Sequence, residues 1–81
     1  MGYVVREEDS QTGEVTRRGP FVTEQEARMV LGNLVEQAYD FDPQLATANV
    51  RQEVEDAVRD GRKDCLGTKG NLVSRYTVER E

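Results

Sequence analysis

The chain has 81 residues, 36 % hydrophobic and 33 % charged, with a net charge of −5, one cysteine and no histidine. That length holds one core, so residues 1–81 are read as a single domain, and a lone cysteine excludes an internal disulfide and a multi-cysteine zinc site. No apolar run approaches the ~18 residues of a membrane span and no signal-peptide core is visible, so a cytoplasmic protein without membrane contact is expected.

The charge is unevenly placed. Residues 23–60 carry nine acids against Arg28, Arg51 and Arg59, whereas residues 61–81 carry five bases against Asp64, Glu79 and Glu81. The middle of the chain is the acidic pole, and such a pole repels nucleic acid and anionic membrane.

In chain order, Tyr3 to Glu8 reads as a strand, and Asp9-Ser10-Gln11-Thr12-Gly13 as a turn whose glycine accepts a positive φ. Glu14 to Arg18 then returns as the hairpin partner, ended by Gly19-Pro20 because proline cannot donate to a ladder. Thr23 and Glu26 match a capping box, with Val22 and Ala27 at hydrophobic-staple positions. The stripe Ala27, Val30, Leu31, Leu34, Val35, Ala38 predicts a helix to about Tyr39. Gly32 lies off that stripe and weakens the helix by about 1 kcal/mol relative to alanine.

Asp42-Pro43 reads as a second helix start, and Asn49 with Gln52 as a competing one. The second stripe uses Ala46, Val50, Val54, Ala57 and Val58, with Gly61 as the stop. Asp64 to Gly70 is expected as a loop, and the alternation from Asn71 to Glu79 as a closing strand. The expected fold is α+β in the order ββααβ, a three-stranded sheet with both helices on one face. Tyr3, Val5, Val15, Phe21, Leu72, Tyr76 and Val78 then point inward. Val4, Arg6, Thr16, Arg18, Val73, Arg75 and Thr77 point outward.

Without histidine, acid–base chemistry near neutral pH lacks its usual agent, and the chain is read as non-enzymatic, with no catalytic residue, metal or cofactor expected. Cys65, near Arg62, Lys63 and Lys69, is read as an apolar anchor rather than an activated thiol. Gly67-Thr68-Lys69-Gly70 lacks the strand-before, helix-after setting of a phosphate loop and reads as a tight connection. Glu53, Asp56 and Asp60 share one flank of the second helix, with Asp64 just beyond. Arg51, Glu55 and Arg59 neutralise one another on the other flank. The first flank is therefore expected to be uncompensated and to dock a protein partner with a basic surface. The alternative surface is the open sheet face, where Arg6, Arg18 and Arg75 could meet nucleic-acid phosphates. A homodimer is the other arrangement open to so small a domain.

Asp9-x-x-Thr12-Gly13, Arg17-Arg18-Gly19-x-Phe21-x-Thr23 and Glu26-Ala27 are similar to the hairpin-to-helix step of the arm-binding domain of phage-type tyrosine integrases. The similarity covers less than half the chain and implies DNA contact from the sheet, through Arg6, Arg17 and Arg18. The chain departs from that family in having two strands rather than three before the helix, and an acidic second helix. The reading carried forward is a protein-interaction module, a small regulator or inhibitor of a nucleic-acid-binding protein of the kind mobile elements encode.

Overall fold

The computed structural model describes residues 2–45 and 47–81, with elements β1 (Tyr3–Asp9), β2 (Val15–Phe21), α1 (Glu24–Phe41), α2 (Val50–Asp60), β3 (Arg62–Leu66) and β4 (Leu72–Arg80). The class is α+β, but the order is ββααββ rather than ββααβ. The sheet has four antiparallel strands, β2-β1-β4-β3, not three. The added strand is β3, in the region expected as a loop. Its five residues Arg-Lys-Asp-Cys-Leu show no apolar alternation of their own, and pairing with β4 imposes the extended conformation.

Local signals placed the helix ends well. Thr23 Oγ1 accepts the Glu26 N–H at 3.1 Å and opens α1. Asn49 Oδ1 accepts the Gln52 N–H at 3.1 Å and opens α2, so the later of the two start signals prevails. Asp42 instead closes α1, its N–H bonded to the Ala38 carbonyl at 2.9 Å, and its carboxylate accepts the Gln44 N–H at 2.9 Å. Gly61, at φ 68°, ends α2 in the left-handed conformation and leads directly into β3. Val22 is 82 % exposed and makes no staple. Ala46, counted in the second stripe, lies outside the described residues.

Both helices cover one face of the sheet. Ala27, Leu31 and Val35 of α1 and Ala57 of α2 are buried against Val5, Cys65, Val73 and Tyr76. Gly32 is buried where the helices cross: a Cβ there would lie 2.6 Å from Val58 Cγ2 and 3.5 Å from Val54 Cγ1. The residue that looked like a weakness in the helix leaves the space that the Val58 side chain of α2 fills.

Two register shifts overturn parts of the expected facing. Tyr3 pairs with Phe21 but Val5 pairs with Arg18, so β2 carries one residue more than β1 around Gly19-Pro20. That irregularity lets β2 run through Pro20 to Phe21, as an edge strand can. It also reverses the facing of residues 15–18 relative to Phe21, so Val15 points to the open face and Thr16 and Arg18 to the helix side. In β4, Cys65 pairs with Ser74 and Leu66 with Leu72, which leaves Val73 as the extra residue of a bulge and turns it into the core.

Candidate interaction surfaces

Glu53, Asp56, Asp60 and Asp64, expected as a bare acidic flank, are each engaged by a base. Glu53 meets Lys63 Nζ between α2 and β3, and the Tyr39 hydroxyl donates to the same carboxylate at 3.5 Å. Asp56 lies 3.1 Å from Arg59 and accepts a hydrogen bond from the Gln52 amide at 2.9 Å. Arg59 also donates to Asp60 at 3.0 Å, which holds that carboxyl below the usual range. Arg59 therefore turns toward the flank it was expected to leave alone, and Arg51 keeps Glu55 at 3.2 Å. Asp64 leaves the flank entirely: β3 carries it to the open sheet face, where it accepts from Arg75 at 2.8 Å and has Arg62 at 3.9 Å.

A row of acids without bases lies on α1 instead. Its only base, Arg28, is paired with Glu24 at 3.0 Å and donates to the Val58 and Arg59 carbonyls at the end of α2. Glu26, Met29, Asn33, Glu36 and Asp40 repeat at helical spacing on the exposed side of α1. Among the described residues, no base pairs with Glu26, Glu36 or Asp40. Glu36 and Asp40 are like charges four residues apart at a helix C-terminus without a basic residue in its last turn. Both relations are unfavourable, by a few tenths of a kcal/mol each. Met29 is 51 % exposed beside them, and Phe41 in the last turn is 82 % exposed.

The arginine surface is also rearranged. Arg6 and Arg75 do face outward, but Arg18 lies on the helix side with Glu7 at 3.7 Å. Cross-strand pairing instead aligns Arg17, Arg6, Thr77 and Arg62 in one row across the open face. Arg6 is held by Glu8 at 3.1 Å and Glu79 at 3.8 Å, so most of this face is a lattice of internal ion pairs. Arg17 is the exception and has no ion-pair partner among the described residues. Strand alternation left it out because it placed Arg18 in that position, and only the integrase resemblance had named Arg17.

Cys65 is fully buried, and burial pushes its thiol up, opposite to what a nucleophile needs. Burial also raises the Tyr39 hydroxyl, so the groups around Cys65 form a neutral, structural cluster about the Lys63–Glu53 pair. An open cavity of about 380 Å³ is lined by Gln44, Gly67, Thr68, Lys69 and Asn71. The turn beneath it spends its amides internally: Gly67 N–H on Asn71 O at 2.8 Å, Thr68 N–H on Gln44 O at 3.2 Å, Gly70 N–H on Gly67 O at 3.0 Å. Those groups are the ones a phosphate would need. Among the described residues no trio of acidic or cysteine side chains is placed to hold a metal ion, and no helix is long and apolar enough to cross a membrane.

No family model matches the chain, and no curated protein or solved structure does either.

Proposed function

We propose that the protein is a non-enzymatic protein-interaction module that offers the outer face of α1 to a basic surface on a partner protein. The observation that carries this reading is the contrast between helices. Every acid of the α2 flank has a base, whereas Glu26, Glu36 and Asp40 have none among the described residues and share their side of α1 with exposed Met29. A partner that brings lysine or arginine to the end of α1 relieves the Glu36–Asp40 repulsion and complements the helix dipole in one contact. Nucleic-acid-binding proteins carry such basic surfaces, so a small regulator or inhibitor of one is the role that this chemistry fits.

The test is capture of partners from the native host's lysate on the immobilised chain, with and without nuclease, beside a variant carrying Glu26→Lys, Glu36→Lys and Asp40→Lys. The expected result is a basic protein held through nuclease treatment by the wild type and lost by the variant, whose circular dichroism remains that of the folded wild type. Capture that persists in the variant overturns the proposal. Recovery of nucleic acid alone does so too, and moves the function to the arginine row.

A further inference from the structure

The strand order leaves β2 at one edge of the sheet, bonded to β1 alone, and every residue from Val15 to Pro20 is exposed. The Asp9 N–H bonds to the Glu14 carbonyl at 2.9 Å, which fixes the alternation along the hairpin. Thr16 and Arg18 exchange bonds with β1, and the N–H and C=O groups of Val15 and Arg17 point away from the sheet. An unpaired row of this kind is a template for another strand. The side chains define which strand. Among the described residues Arg17 stands on the open face without an ion-pair partner, and Arg18 stands on the opposite face with Glu7 at 3.7 Å. A second copy paired antiparallel with Arg17 opposite Arg17 would set arginine against arginine, which is unfavourable. The inner edge of β2 shows the complementary chemistry on one face, where Glu7 of β1 lies 3.7 Å from Arg18; on the other face Arg17 stands opposite Arg6 and gains from an incoming carboxylate.

We infer that the free edge of β2 is a docking strand for an extended segment of a partner protein carrying two consecutive acidic residues. Main-chain bonds to Val15 and Arg17 supply the pairing. Arg17 and Arg18 grip one carboxylate on each face of the incoming strand. This surface is separate from the acidic face of α1 and takes the opposite charge.

The probe is a blocked peptide, Thr-Val-Thr-Glu-Glu-Val-Thr, titrated into the isotopically labelled full chain while backbone amide resonances are followed. Shifts and exchange protection are expected at Val15 and Arg17, and the same peptide with Lys-Lys at its centre is expected to give none. A variant with Arg17→Glu and Arg18→Glu weakens the acidic peptide by about tenfold or more and accepts the Lys-Lys peptide in its place. Because both residues are exposed on an edge strand, that variant folds, and the exchange of partners separates recognition from damage. Absence of shifts at millimolar peptide, shifts elsewhere on the molecule, or equal response to both peptides overturns the inference. Concentration-dependent protection of the edge without peptide assigns it to a second copy and overturns it as well. Shifts with a single-stranded DNA oligomer but not with the peptide assign the arginines to phosphates, with the same consequence.

Discussion

Lys63 enters the helix–sheet interface with 17 % of its side chain exposed, and Glu53 meets it there at 28 %. Ions so far removed from water hold each other in place, and removing one strands the other. Glu53→Gln is therefore expected to lower stability by about 1–3 kcal/mol, read from urea denaturation. An unchanged midpoint would show that the pair contributes nothing. Tyr76 makes a second statement at this scale. Burial pushes its hydroxyl from 10.0 up to about 12, with the Glu7 carboxylate 3.4 Å away adding to the effect. The unfolded chain releases this proton near pH 10.0 and the folded chain only near 12, so the unfolded state binds fewer protons in between. The contribution is complete below pH 10.0 and is lost as the pH rises toward 12. Tyr76→Phe should flatten the decline of stability over that window relative to wild type, and identical slopes in urea melts would refute the assignment. Neither relation was visible from residue spacing. Glu53 has no base three or four residues away on its own helix, and Lys63 reaches it only because β3 returns beneath α2.

The helices show how far local reading goes. Thr23, Asn49 and Gly61 mark their ends because a cap is a contact between residues a few positions apart, which the sequence contains in full. The strand β3 was illegible for the converse reason, since it exists through its ladder with β4 and has one buried residue, Cys65. Gly32 divides the two kinds of information. Helix propensity alone says that Gly32→Ala stabilises by about 1 kcal/mol. The Val58 methyl, 2.6 Å from where the new Cβ would sit, belongs to a stiff β-branched side chain and must be displaced together with α2. Gly32→Ala is expected to destabilise by about 1–3 kcal/mol in thermal or urea melts, and a gain in stability would show that the helices separate freely.

At the scale of the molecule, the two layers divide the charge. Glu26, Glu36 and Asp40 line the outer side of α1, and the open sheet face carries the arginine row with its interleaved carboxylates. The proposed contacts therefore lie on different elements, and charge reversal on α1 should leave the edge of β2 intact. Short-range information was legible in the residues: an α+β chain, two helices with the caps Thr23 and Gly61, the first hairpin and the last strand, while the start of α2 stayed divided between Asp42 and Asn49. It also supplied most of the core, because apolar periodicity selects Leu31, Val35, Ala57, Val5 and Tyr76 whatever their partners are. The tertiary structure decided which charges are free. A single extra residue near Gly19-Pro20 exchanged Arg18 for Arg17 on the open face, and the return of β3 neutralised Glu53. A surface charge is free or spent according to what the fold brings within a few ångströms of it, and register and crossover set that distance.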